Sequence, residues 1–113
     1  MVECPYHGGR PSFEWDEDKS RVNQEKHGVA FETAQLAFLD ERRVIAEDLS
    51  HSEDEQRYYC FGTVHGGVMT VRFTWRDGRI RIFGAGYWRK GKRLYDRENK
   101  KVQRGRDRRP QGR

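Results

Sequence analysis

The stretch Val68–Phe83, VMTVRFTWRDGRIRIF, decides the fold. Alternation puts Met69, Val71, Phe73 and Trp75 on one side of a strand and Thr70, Arg72, Thr74 and Arg76 on the other. Asp77-Gly78 is a two-residue hairpin signal, because a type I′ turn needs positive φ at both central positions. That turn sets the register. Arg76 faces Arg79, Trp75 faces Ile80, Thr74 faces Arg81 and Phe73 faces Ile82, so both strands agree on one apolar face. The opposite face carries Arg72, Arg76, Arg79 and Arg81, and like charges at this spacing repel unless a counter-anion joins them.

Upstream, Arg57–Val64 (RYYCFGTV) reads as a further strand ending at His65-Gly66-Gly67. A two-residue Gly66-Gly67 loop, which we expect, puts Arg57, Tyr59 and Phe61 on the arginine face and Tyr58 and Cys60 in the core; a three-residue loop would invert this. Arg43–Ala46 is a brief β-branched run, followed by the polar loop Glu47–Glu55 containing His51. Phe31, Ala34, Ala37 and Phe38 recur at helical spacing and predict a short amphipathic helix over 31–39. Before it, Asp16 sits where an N-cap belongs, Glu17 and Asp18 suit the first turn, and Gly28 stops a helix that runs to about Lys26. Val22 is that helix's only clearly apolar member, so neighbours and polar contacts, through Asn23, must hold it. Phe13-Glu14-Trp15 reads as a first short strand, and residues 1–12 as a flexible leader.

Downstream, Gly84-Ala85-Gly86 leaves the sheet. Trp88, Gly91, Leu94, Tyr95 and Val102 then fall on one helical stripe to about Gln103, with Arg89, Lys90, Lys92, Arg93 and Arg97 on the other faces. RGRDRRPQGR, residues 104–113, has nothing to bury and is expected to be disordered. The expectation is a single domain over 13–103 of α+β class. It is a small antiparallel sheet with two N-terminal helices on one face and a basic C-terminal helix.

The net charge of +5 is unevenly spread: residues 1–88 hold 11 Lys/Arg against 15 Asp/Glu, and residues 89–113 hold 12 against 3. A local basic segment beside an arginine face suits a polyanion such as RNA or DNA, although a terminal charge run alone also serves solubility. Cys4 and Cys60 make no disulfide framework, no apolar run approaches membrane-spanning length, and MVECPYHGGRPS lacks the apolar segment of a secretory signal. These point to a cytoplasmic protein with no membrane partner.

The blocks FEWDEDKSRVNQEKHGVAFETA, EDEQRYYCFG and FTWRDGRIRI together resemble the BrnT family, toxins of type II toxin–antitoxin pairs, over about Phe13–Asn99. The resemblance implies a RelE-like fold and ribonuclease activity that inhibits translation. It also implies neutralisation in a hetero-oligomer by a BrnA-like antitoxin with a ribbon-helix-helix domain. Where common members carry an Ile-Ser-Ala-Arg-like segment after the last strand, this chain reads Phe83-Gly84-Ala85-Gly86-Tyr87-Trp88. Arg89, Lys90 or Lys92 could supply the displaced charge.

Metal-free RNA cleavage needs a base for the 2′-OH, cations for the phosphorane and an acid for the leaving 5′-oxygen. No cofactor or metal is expected. Arg57, Arg76 and Arg81 are the first choice for gripping the phosphate, because guanidinium offers two parallel donors to phosphate oxygens. Arg72, Arg79, Arg89, Lys90 and Lys92 would bind RNA more generally. Glu55, His51 and Tyr95 are candidates for base and acid, and Tyr59, Phe61 and Phe83 for base stacking. Structural readings stand beside these. Sheet arginines often pair with acids, and His27 at a helix end would cap carbonyls. His65, Lys19 and Lys26 would be solvated. Trp15, Trp75, Trp88 and Cys60 would be core, and Cys4-Pro-Tyr-His7 lacks a second ligand pair for zinc. The rival to a ribonuclease is a non-catalytic module whose arginines grip nucleic acid or an acidic partner.

Overall fold

The structure, a computed structural model, describes residues 12–51 and 55–107. It contains β1 (Phe13–Glu14), α1 (Glu17–His27), α2 (Phe31–Ala34), which continues as a 3₁₀ turn over Gln35–Leu39, and β2 (Val44–Glu47). A second 3₁₀ turn (Leu49–His51) precedes β3 (Arg57–Val64), β4 (Gly67–Arg76), β5 (Arg79–Gly86) and α3 (Arg89–Asp107). The strands form one sheet in the order β1-β5-β4-β3-β2, antiparallel except where β1 runs parallel to β5. This is the expected α+β architecture. The expected leader lies outside the described residues apart from Ser12, and residues 108–113 of the tail lie outside them too. Within that tail, α3 continues beyond Gln103 as far as Asp107.

The Asp77-Gly78 turn has positive φ at both positions, and the four predicted pairs from Arg76↔Arg79 to Phe73↔Ile82 are all present. The other hairpin turns one residue earlier than expected, at His65-Gly66, with Val64 paired to Gly67. His65 takes the left-handed conformation that a glycine was expected to supply. Both registers leave the same residues on each face, so Tyr58 and Cys60 still point to the core.

That core packs Phe31, Phe38, Met69, Val71, Phe73, Ile80 and Ile82 between the sheet and α1, α2 and the first 3₁₀ turn. Each such side chain contributes about 1.5–3 kcal/mol on burial. The segment 31–39 tightens to 3₁₀ after Ala34, where its backbone lies directly on β3. A Cβ at Gly62 would run into the Ala37 carbonyl oxygen, so only glycine admits this approach.

α1 is capped as read: Asp16 accepts from the N–H groups of Asp18 and Lys19, and Gly28 at φ 73° ends it. Val22 is exposed, and the helix is held by two buried polar residues. Asn23 donates from Nδ2 to the carbonyls of Val29 (2.7 Å) and Ala85 (2.9 Å), while its Oδ1 accepts from Ala85 N–H. Its amide thus takes both backbone groups of Ala85, where short β1 no longer covers the β5 edge. Ser20 Oγ accepts from Phe31 N–H, tying α1 to α2.

The opposite sheet face is divided. α3 lies across one end, where Phe61, Val44, Val68 and Tyr95 form a second small core. Gly91 permits this, since a Cβ there would overlap Thr70 Oγ1 and crowd Phe61. The other end, with the arginines, stays open. Two expected core tryptophans are half-buried, Trp15 and Trp75, and Trp88 is exposed: it precedes α3 and lies over Gly86.

Candidate functional site

The open end is built by β3, β4 and β5. Arg57 pairs with Thr74, Tyr59 with Arg72 and Phe61 with Thr70, so the three β3 residues share the arginine face as read. β5 carries a bulge there: Phe73 pairs with Ile82 but Arg72 with Gly84, leaving Phe83 as the extra residue. The bulge presents the Phe83 ring to two guanidinium groups, Arg57 at 4.9 Å and Arg72 at 5.3 Å from its centroid. Cation–π contacts of this kind stabilise by about 0.5–2 kcal/mol and hold the charges side by side. Gly84 makes room for the Arg72 stem, whose Cδ would stand 3.2 Å from a Cβ at that position, and Gly86 makes room for the Trp88 ring. The Gly84-Ala85-Gly86 segment is therefore shaped around Arg72 and Trp88.

The arginines differ in what neutralises them. Glu14 on β1 takes Arg81 at 3.2 Å and Arg79 at 3.6 Å, and Glu55 takes Arg76 at 2.8 Å. The counter-anions that the cluster required are thus partly the protein's own. Arg72 has no carboxylate partner among the described residues, and its buried Nε has no hydrogen-bond partner. A cation so placed is poised for an anionic ligand, because pairing it recovers part of its desolvation cost.

Beside Arg72, a groove of about 660 Å³ runs between the sheet and the start of α3, lined by Tyr59, Phe61, Thr70, Trp88, Lys90 and Leu94 among others. The Tyr59 and Phe61 rings stack at 5.7 Å. Burial first, then the charge and hydrogen bond of Asp48, push the Tyr59 phenol up; the nearby Arg72 charge opposes them. Asp48, buried just after β2, receives the Ser50 hydroxyl at 2.9 Å and donates its own N–H to the Arg57 carbonyl at 2.8 Å. It thereby ties the Arg57 backbone and the Tyr59 phenol to the end of β2. Sequence reasoning passed over Asp48 in a polar loop, where the spacing Asp-Leu-Ser offered only a local turn signal.

The other candidates fall elsewhere. The Tyr95 hydroxyl donates to Asp40 Oδ2 at 2.5 Å, and burial, then that bond and charge, push it up to about 12. Asp40 also accepts from Thr63 at both N–H and Oγ1. Thr63 lies six residues along β3 from Arg57, about 20 Å away, so the structure does not bring Tyr95 to the arginines. Burial alone would raise Asp40, but the bonds from Tyr95, Thr63 and Arg42 outweigh it and hold its carboxyl low. Glu55 meets Arg76. His51 ends the second 3₁₀ turn, and its side chain lies outside the described residues. Lys90 lines the groove, whereas Lys92 pairs with Asp96 at 2.8 Å and Arg89 is exposed. His27 caps no carbonyl among the described residues, and Gly28 ends the helix; the imidazole ring stands edge-on to Trp88 at 5.1 Å.

Two further observations bear on function. No helix among the described residues is long and apolar enough to cross a membrane. A family model described as the ribonuclease toxin BrnT of type II toxin–antitoxin systems matches residues 15–91. The comparison with curated proteins gives no match.

Proposed function

Because the chain belongs to the BrnT family of ribonuclease toxins of type II toxin–antitoxin systems, we propose that it cleaves RNA at the Arg57–Arg72–Phe83 end of the open sheet face. The cleavage needs no metal and inhibits translation. The family carries an RNA substrate and an antitoxin partner. We read that antitoxin as BrnA-like, with a ribbon-helix-helix domain, and as covering the same arginines.

The observation that carries this reading is Arg72, a part-buried guanidinium without a carboxylate partner among the described residues, beside Arg57 and the Phe83 ring. RNA supplies its own nucleophile in the 2′-OH, so the protein's task is to orient the phosphate and offset the charge that builds on its oxygens. Arg57 and Arg72 serve this; Tyr59, Phe61 and Trp88 offer ring faces to the flanking bases. Arg76, Arg79 and Arg81 take a lesser part, as Glu55 and Glu14 hold them; Arg57 is partnered as well, and its place in the site rests on the Phe83 ring that it shares with Arg72.

The test is cleavage of labelled RNA with EDTA present, with and without ribosomes, comparing wild type, Arg72→Ala and Arg76→Ala/Arg81→Ala. Removing one preorganised donor to the transition state costs about 10²–10³-fold, and we expect this for Arg72→Ala but a smaller loss for the double variant. Full activity of Arg72→Ala would overturn the placement. RNA binding without cleavage by wild type under every condition would favour the non-catalytic module.

A further inference from the structure

The arginines alone move no proton, and two of the groups considered from sequence are engaged elsewhere: Glu55 is ion-paired to Arg76 and Tyr95 is bound to Asp40. On the other side of Phe83 lies a hollow of about 450 Å³ that Phe83 shares with α1 side chains, among them Lys19, Lys26 and His27. Phe83 faces Arg57 and Arg72 on one side and lines the α1 hollow on the other, while Trp88 lines the groove and touches His27. His27 is exposed and makes no hydrogen bond among the described residues, so neither ring nitrogen is committed to the fold. Imidazole is also the side chain whose ordinary titration lies nearest neutrality.

We propose that the α1 hollow is the second half of the RNA site and that His27 is the catalytic base, an inference that rests on the ribonuclease reading above. Neutral His27 takes the proton of the 2′-OH; that oxygen bonds to phosphorus and the P–O5′ bond breaks. Water protonates the departing 5′-oxygen, leaving a 2′,3′-cyclic phosphate and a 5′-hydroxyl, and the hydroxide formed takes the proton back from the imidazolium. Lys19 and Lys26, on the same side of α1, hold the adjoining phosphate. The charged groups that line the hollow with His27 are Asp16, Asp18, Lys19 and Lys26; Arg57 and Arg72 contact Phe83, and Lys90 lines the groove with Trp88.

The test compares kcat/KM against pH, RNA affinity and thermal melting for wild type, His27→Gln and His27→Phe. Phe keeps a ring against Trp88 and has no nitrogen, so it separates packing from proton transfer. We expect wild-type kcat/KM to rise with pH along a limb set by deprotonation of the base. Both variants should lose that limb and about 10²–10⁴-fold in rate, with RNA still bound and with melting unchanged in His27→Phe. Wild-type rate and pH profile in His27→Phe would overturn the inference while leaving the ribonuclease reading intact. Absence of cleavage by wild type itself would overturn both.

Discussion

Replacing Tyr95 by Phe separates two roles that the residue could have. As a general acid it would be needed for cleavage; as placed, it fastens α3 to the loop after the first 3₁₀ turn and needs only its bond to Asp40. Phe fills the same space against Phe61, Val44 and Val68, so the change removes one hydroxyl and little packing. Hydrogen bonds to a charged partner contribute about 1.5–3 kcal/mol, and Tyr95 is only 8 % exposed, leaving water little room to replace the hydroxyl. Asp40 keeps both Thr63 bonds, which argues for the lower half of that range. With ~4–8 °C of melting temperature per kcal/mol in a domain of this size, the variant should melt about 6–18 °C lower. The alkaline limb gives a second measure. The folded phenol, at about 12, lies above its ordinary value of 10.0. Its contribution is therefore complete below pH 10 and is lost as pH rises from there towards 12. Chemical denaturation from pH 8 to 11.5 should show wild type weakening above pH 10, with Tyr95→Phe falling less steeply. Cleavage at a temperature where both are folded should be unchanged. A stability loss below about 0.5 kcal/mol, or a hundredfold loss of cleavage by a folded variant, would refute the assignment.

Gly91→Ala is expected to destabilise by about 1–3 kcal/mol, because the new methyl meets Thr70 and Phe61; a helix free of the sheet would instead gain up to about 1 kcal/mol, so the sign of the change in urea unfolding decides. Removing residues 104–113 should weaken RNA binding and flatten its salt dependence with cooperative melting retained, as seen by filter binding and calorimetry; unchanged affinity at low salt would show that this charge serves solubility alone.

Much of the fold was legible because its signals are local. The Asp77-Gly78 turn, the Asp16 and Gly28 caps and the alternation along β4 each depend on residues a few places apart, and they fix strand facing and helix ends. The displaced His65-Gly66 turn shows the limit. Moving the loop by one residue kept every side chain on its face, so alternation alone could not separate the two registers. Trp88 shows another: its helical stripe suggested burial, but α3 begins after it and Gly86 receives its ring outside the core.

By itself the sequence determined that there is an arginine face and which residues are on it, since facing follows from the two-residue period of a strand. Which arginines meet an acid of the chain was decided by tertiary structure. Glu14 reaches Arg81 across 67 residues and Glu55 reaches Arg76 across 21, and neither acid goes to Arg72. The Phe83 bulge, the Gly91 contact that lays α3 over half the face, and the approach of His27 to Trp88 likewise arise from packing between distant segments. Local periodicity orients a side chain relative to its own strand; its charge partner and its neighbours depend on how the rest of the chain closes around it.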